Sequence, residues 1–241
     1  MKTIDSGWMA VSILCSLALH SFAQQHGLDV SLRVEVTRQQ SDQKLSHSSS
    51  ADVVVWLTPE QKMAPLPPPA ATPQFTLVQK DKQFSPHLLV VPTGSTVDFP
   101  NLDPFFHNVF SLFNGKRFDL GLYEAHTHRA VRFDRDGVSY IFCNIHPEMG
   151  AVIVSLSTPY YGVSSRDGSV VIHNVPPGSY RLNVWEENVS VERLNALSRL
   201  VEISPINTNL GTLSLETSGD LMNHHLNKFG ESYVPVPKDP Y

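Results

Sequence analysis

Four residues of types that bind soft metal ions stand out in the sequence. Cys143, His146 and Met149 lie within seven residues, in the pattern Cys-x-x-His-x-x-Met, and another histidine, His107, lies upstream of them. Thiolate and thioether are soft ligands, and imidazole suits several transition metals. These residue types at this spacing predict a mononuclear metal site formed by His107, Cys143, His146 and Met149.

Copper is the metal that this ligand set favours. Two imidazoles and one thiolate, with a weak axial thioether, form the blue copper sites of electron-transfer proteins. A site fixed between the geometries that Cu(I) and Cu(II) prefer needs little rearrangement when an electron moves. We therefore expect one type 1 copper ion per chain, with His107, Cys143 and His146 as principal ligands and Met149 as the axial ligand. The alternative that stays open is a β-sandwich that keeps these residues but has lost its metal.

Other kinds of metal site fit the sequence less well. Zinc accepts cysteine and histidine, but a thioether is a poor zinc ligand. An oxidase with several coppers needs several His-x-His pairs, including one that flanks its cysteine, whereas this chain has a single pair at residues 126–128. His126 and His128 are a weaker candidate for a second metal site, and His224 and His225 are weaker still.

The N-terminus predicts a secretory signal peptide over residues 1–23. Lys2 provides a basic start, residues 8–19 are mostly apolar, and Ser21-Phe22-Ala23 offers a cleavage site. Because a spanning helix needs about 20 apolar residues, we expect cleavage, no stable membrane span afterwards, and a periplasmic or secreted location. Cleavage would leave Cys143 as the sole cysteine, and a lone cysteine in an oxidising compartment is a metal ligand, a buried thiol or half of an intermolecular disulfide.

The pattern along the chain predicts an all-β protein. Residues 28–36 alternate between apolar and polar, which indicates a half-buried strand, and residues 53–57 indicate a strand buried on both faces. No stretch shows a convincing amphipathic helical period. The division that we predict is N-terminal strands at 24–58, a Pro-rich linker at 59–73, a many-stranded sandwich at 74–156, a third block at 157–217 and a tail at 218–241.

The 74–156 segment resembles a cupredoxin domain, of the plastocyanin and amicyanin family. Residues 94–99 (GSTVDF) and 101–103 (NLD) resemble the strand before the first ligand, and 106–109 (FHNV) resemble the His-Asn pair that carries it. The resemblance implies a Greek-key β-sandwich. It also implies that Asn108 ties the two ligand loops together. The chain departs from the family four residues before the cysteine, where Ser139 replaces the usual aromatic residue.

The third block resembles a different family of small, transthyretin-like β-sandwiches, the carboxypeptidase regulatory-like domains. Residues 161–169 end in an Asp-Gly turn, and residues 175–182 contain the Pro-Pro-Gly-x-Tyr pattern of that family. The resemblance implies that two earlier strands, the second of them at 52–57, belong to the same domain. We therefore expect the copper domain to be inserted between the N-terminal strands and the third block. The alternative is three linked pieces, in which the first strands extend the copper domain.

The function that we expect is one-electron transfer without substrate turnover. Proteins that combine these two modules resemble a group labelled methylamine-utilisation-type, which implies a redox partner protein of unknown identity. The formal net charge is −5 and no basic stripe is present, so nucleic acid is not an expected partner. Two alternatives remain, a non-redox copper-binding or structural protein whose transthyretin-like module binds a ligand, and a copper enzyme with an open coordination position.

Overall fold

The computed structural model describes most of the chain between residues 27 and 233. The described ranges are 27–39, 45–47, 49–61, 74–112, 115–217 and 226–233. The predicted signal peptide, His224 and His225 lie outside the described residues, as do residues 62–73 of the predicted linker and most of the predicted tail.

Within these ranges the chain forms eighteen strands and one short helix. In chain order they are β1 (Leu28–Gln39), β2 (Leu45–His47), β3 (Val54–Pro59), β4 (Phe75–Thr76), β5 (Val78–Lys80), β6 (Gln83–Ser85), β7 (Leu88–Pro92), β8 (Thr96–Pro100), β9 (His107–Ser111), β10 (Phe118–Tyr123), β11 (His128–Arg132), β12 (Gly137–Phe142), β13 (Gly150–Leu156), β14 (Tyr161–Val163), β15 (Ser169–Val175), β16 (Gly178–Trp185), α1 (Val191–Leu197), β17 (Arg199–Ile203) and β18 (Asn209–Thr217). The prediction of an all-β fold is confirmed.

Strands β4 to β13 form a β-sandwich that we call the site module. One sheet has the order β10-β9-β12-β13-β7, the other has the order β11-β8-β4, and β5 and β6 form a separate hairpin. Apolar side chains from these strands enclose one core, to which Cys143 and Met149 also belong. The largest fully buried members of this core include Phe99, Phe133 and Ile153.

The remaining strands and α1 form a second unit that we call the flanking module. Strand β1 pairs with β15 and β18, and β3 pairs with β14 and β16, so strands before the site module are hydrogen-bonded to strands after it. This pairing is what an inserted site module requires, while the domain boundaries stay a prediction. In β1 the apolar residues Val30, Leu32, Val34 and Val36 are buried, as the alternation predicted.

Strand β13 joins the two modules. Successive side chains of a strand point to opposite faces of the sheet. Ala151 and Ile153 accordingly lie in the core of the site module, whereas Val152, Val154 and Leu156 lie in the core of the flanking module. The five-stranded sheet of the site module is therefore packed on both faces at β13. This packing limits the relative motion of the two modules.

The structure also differs from the sequence-based expectations in its secondary structure. Helix α1 was not expected, because its seven residues bury a single side chain, Leu194, and are too few to show an amphipathic period. Its start is nevertheless marked by Ser190, whose hydroxyl accepts a hydrogen bond from the Arg193 amide. Strand β10 is irregular at Gly121, which has a φ of 67° and lies where the register with β9 shifts. No helix among the described residues has the length and apolar character needed to cross a membrane.

A polar contact links the modules beside this shared core. The His87 ring of the site module lies with Nε2 2.8 Å from Glu187 Oε2 of the flanking module and Nδ1 3.2 Å from the Gly150 carbonyl. A protonated ring can donate to both acceptors. The hydrogen bond to Glu187 raises the pKa of His87 above its ordinary value of 6.5, although partial burial opposes the shift.

This contact predicts a pH-dependent contribution to stability. Because the folded-state pKa of His87 is raised, the stabilisation is fully present below about pH 6.5 and is lost as the pH rises through the folded-state pKa. The loss of unfolding free energy on Glu187→Gln, measured by urea denaturation, should be larger at about pH 5.5 than at about pH 8.5. In a His87→Gln background, Glu187→Gln should lower the free energy of unfolding by the same amount at both pH values. A loss that does not depend on pH in the protein with His87 would contradict the stabilising role of the His87–Glu187 contact.

Candidate metal centre

The predicted ligands lie where β9 begins and its neighbour β12 ends, and in the loop that follows β12. His107 is the first residue of β9, and Cys143 directly follows the end of β12. These strands are antiparallel, with Phe142 opposite Phe110. His146 and Met149 lie in the loop between β12 and β13. The pairing of β9 with β12 therefore brings a distant histidine to a loop that carries the other three residues.

Two imidazoles and one thiol converge at this edge. The Cys143 Sγ lies 3.7 Å from His107 Nδ1 and 3.6 Å from His146 Nδ1. All three atoms lie within 4.8 Å of one another. Among the described residues, no other group of three or more His, Cys, Asp or Glu side chains is placed so that it could hold a metal ion. These separations suit donors that share one ion at about 2.0–2.3 Å, the range of metal–nitrogen and metal–sulfur bonds in proteins. The three residues therefore fit a single metal ion without a change of fold.

The loop that carries His146 is closed by hydrogen bonds between its own backbone groups. The Met149 amide donates to the His146 carbonyl at 3.1 Å, and the Cys143 amide donates to the Met149 carbonyl at 3.3 Å. Met149 is fully buried in the same core as Cys143. This closure fixes the spacing of Cys143 and His146, and it places the thioether of Met149 inside the module.

The electrostatic surroundings of the thiol and imidazoles determine their protonation. Burial raises the pKa of Cys143, although hydrogen bonds from the backbone amides of Asn108, Ile145 and His146 oppose the shift. Burial and the neighbouring His107 lower the pKa of His146. Without metal, both shifts favour a protonated Cys143 thiol and a neutral His146 imidazole at neutral pH. A metal cation would displace the thiol proton and bind the thiolate.

A buried carboxylate orients the His107 ring. Asp103 Oδ2 lies 2.8 Å from His107 Nε2, and the same carboxylate accepts hydrogen bonds from the backbone amides of Asp81 and Lys82 at 2.6 and 3.0 Å. Burial alone would raise the pKa of Asp103, but these hydrogen bonds hold it below its ordinary value. Since the carboxylate accepts from Nε2, Nδ1 is left free to face the thiol. Such outer carboxylates fix the tautomer and orientation of metal-binding histidines.

Asn108 and Ser139, which the sequence comparison singled out, both lie beside the cluster. The Asn108 side chain donates to Asp119 Oδ1 at 2.7 Å, while its backbone amide is hydrogen-bonded to Cys143. Ser139, at the position where the resembling family usually has an aromatic residue, is buried. Its hydroxyl accepts a hydrogen bond from the Lys116 amide at 2.8 Å, and Gly115 lies so close that a Cβ there would clash with Ser139 Oγ. A backbone segment thus fills the space that an aromatic ring would take.

Phe105 is a further site residue that the sequence did not single out. Its ring packs against His107, with the centroids 5.2 Å apart, and against His146, at 5.7 Å. His126 and His128, the weaker candidates for a second metal site, do not lie on one strand. His126 lies in a turn with a φ of 60°, while His128 begins β11 and pairs with Asp98 at 2.6 Å.

Comparison with known proteins adds partial structural likenesses. No family model and no curated protein matches the chain. A purple cupredoxin from Nitrosopumilus maritimus is similar at 23% identity over 34% of this chain and 100% of that chain, with a TM-score of 0.32. A copper-containing nitrite reductase from Thermus scotoductus is similar at 22% identity over 41% of this chain and 26% of that chain, with a TM-score of 0.35. A Cu(I) form of an amicyanin variant is similar at 18% identity over 36% of this chain and 87% of that chain, with a TM-score of 0.33. Each likeness covers less than half of this chain, so the function proposed below depends on the geometry of the His–Cys–His cluster.

The hydrogen bonds of Asp103 predict a measurable effect on the metal-free protein. Replacement of Asp103 by alanine should lower the free energy of unfolding by about 2–4 kcal/mol, since each buried group left without its partner costs about 1–3 kcal/mol. Urea denaturation of the metal-free protein measures this loss. Asp103→Asn keeps an acceptor oxygen, so its free energy of unfolding should fall clearly less than that of Asp103→Ala. An equal fall for both variants would contradict the stabilising role of these hydrogen bonds.

Proposed function

We propose that the chain is a copper protein of the cupredoxin type, with one blue copper site. The observation that carries the proposal is the triangle formed by His107 Nδ1, Cys143 Sγ and His146 Nδ1 in an otherwise closed core. Two imidazoles and one thiolate are the principal ligands of blue copper sites. Copper bound there would supply reversible one-electron chemistry.

The protein residues give this site its selectivity. We propose that Met149 is the axial ligand, which is supported by its burial in the same core as Cys143. Its thioether favours copper over zinc, which takes thiolate, imidazole and carboxylate. His107 is held by Asp103 and covered by Phe105. Ligands that are fixed before the metal binds would rearrange little when the copper changes oxidation state.

Electron transfer is the activity that we propose for this site. His107 and Cys143 are fully buried, whereas His146 is partly exposed and is followed by the exposed Pro147. The His146 ring would therefore be the shortest path between the metal and a redox partner protein. The rival is a non-redox role, in which the flanking module, proposed as a carboxypeptidase regulatory-like sandwich, binds a ligand.

Copper loading tests the metal assignment. Protein loaded with Cu(II) should absorb strongly near about 600 nm, the thiolate-to-copper band of blue copper sites. Cys143→Ser should abolish this band, because the band requires the thiolate. His128→Gln, which removes an imidazole outside the cluster, is the matched control and should leave the band unchanged. A colourless copper complex of the unmodified protein would refute the blue copper assignment.

Voltammetry tests the proposed role. The copper-loaded protein should show a reversible one-electron wave, and Met149→Leu should keep the colour and raise the reduction potential, because loss of the weak axial donor disfavours Cu(II). An irreversible response would favour the non-redox role. Catalytic turnover of nitrite or oxygen would instead indicate a copper enzyme. An unchanged potential in Met149→Leu would contradict the axial role of Met149.

Export is the remaining part of the proposal. The pattern of residues 1–23 supports a signal peptide whose removal would leave Gln24 at the N-terminus. N-terminal sequencing of protein from the soluble exported fraction of a bacterial host should begin at Gln24. Recovery of the chain only from the cytoplasm, with its first residues intact, would contradict export.

A further inference from the structure

The last described segment of the chain, residues 226–233, lies on the metal-binding loop of the site module. The Tyr233 hydroxyl donates to the Cys143 carbonyl at 2.9 Å, and the Lys228 amide donates to Asn144 Oδ1, also at 2.9 Å. These contacts join residues 84 to 90 positions apart in the chain. The segment follows the flanking module in sequence, yet it contacts the cysteine of the candidate metal site and the residue after it.

The same segment also contacts β10, which pairs with the strand that carries His107. The Lys228 ammonium lies 2.8 Å from Asp119 Oδ2, and Oδ1 of that carboxylate accepts the Asn108 amide group at 2.7 Å. Asn108 directly follows His107. A continuous path therefore runs by hydrogen bonds from Asn108 to Asp119 and on to the Lys228 ammonium, and from the Lys228 backbone amide to Asn144. This path joins the two parts of the chain that carry the predicted ligands.

The segment has internal order that supports these contacts. The Asn227 side chain accepts hydrogen bonds from the amides of Phe229 and Glu231, at 2.9 and 3.0 Å. The Asn227 amide donates to the Glu231 carbonyl at 2.8 Å, and the Gly230 amide donates to the Asn227 carbonyl at 2.9 Å. Asn227 and Glu231 thus close a turn around Lys228. The turn presents both the amide and the ammonium of Lys228 to the site module.

We propose that residues 226–233 are a structural component of the metal centre, in which Lys228 and Tyr233 are positioning residues that couple the Cys143 loop to the His107 strand. This inference deepens the proposed copper function and rests on it for the metal-bound readouts. The path through Lys228 adds to the direct hydrogen bond between the Asn108 backbone amide and Cys143. The hydrogen bond from the Tyr233 hydroxyl fixes the position of the Cys143 carbonyl. It thereby also fixes the Cys143 sulfur relative to the backbone amides that donate to it.

Four variants separate this role from a general effect on folding. Tyr233→Phe removes the hydroxyl, and Lys228→Met removes the ammonium while keeping the aliphatic length. Tyr161→Phe deletes the equivalent oxygen in the flanking module. Lys116→Met is the matched control for lysine, since Lys116 pairs with Asp134 and its side chain is 24% exposed, as is that of Lys228.

The first readout uses the metal-free protein and does not depend on copper. Cys143 is fully buried, so a thiol reagent reaches it only when the loop opens. Loss of one net hydrogen bond that holds the loop closed should speed alkylation of Cys143 by about 2- to 10-fold. Peptide mass spectrometry follows this rate at Cys143 itself. We expect faster alkylation in Tyr233→Phe and Lys228→Met and unchanged rates in the two controls.

The second readout uses the copper-loaded protein. Tyr233→Phe and Lys228→Met should shift the thiolate-to-copper band and release Cu(I) to a chelator about 2- to 10-fold faster, whereas the two controls should match the unmodified protein. Lys228→Arg, which keeps the charge and the donor, should restore both properties. A purely structural role would change the free energy of unfolding without moving the band.

The two proposals fail in different ways. If the unmodified protein forms no coloured copper complex, the proposed function fails, while the alkylation rates of the metal-free variants still decide the role of the segment. If Tyr233→Phe and Lys228→Met alkylate at the same rates as Tyr161→Phe and Lys116→Met, the role of the segment is overturned.

Discussion

The enclosure of one thiol between two imidazoles is the constraint on which the structure of the site module depends. The Cys143 sulfur is fully buried, and both imidazole Nδ1 atoms lie within 3.7 Å of it. Burial of the Cys143 thiol beside the His107 imidazole is costly unless both groups are hydrogen-bonded or share a cation. The surrounding structure meets this requirement, because Asp103 accepts a hydrogen bond from His107 and backbone amides donate to the Cys143 sulfur. Such a prearranged set of ligands favours a metal that changes oxidation state without moving its ligands.

Separate parts of the chain hold the three donors. The hairpin of β5 and β6 supplies amides to Asp103, which in turn fixes His107. The closed loop after β12 fixes the spacing of Cys143 and His146. The flanking module covers the outer face of β13, so the strand that follows the loop is packed on both sides. The site is therefore stabilised by contacts that extend well beyond its ligands.

The sequence revealed the parts of this arrangement that are local in the chain. Cys143, His146 and Met149 share one loop, so their spacing alone predicted a site, and the alternation of residues 28–36 predicted β1 because one face of that strand is buried. The role of Asp103 was not predicted, since it depends on how the β5–β6 hairpin packs against the loop before β9. The contact of Tyr233 with Cys143 was not predicted for the same reason, because no local pattern records a hydrogen bond across 90 residues. Helix α1 was missed because a seven-residue segment with one buried side chain carries too little periodicity.

The most direct test of the central claim is a crystal structure of the copper-loaded protein with anomalous scattering measured at the copper edge. The proposed site predicts one anomalous peak per chain, in bonding distance of His107 Nδ1, Cys143 Sγ and His146 Nδ1, with these side chains oriented as they are described above. A peak at His126 or His128 alone, or copper bound only after the Cys143 loop has opened, would contradict a preformed blue copper site.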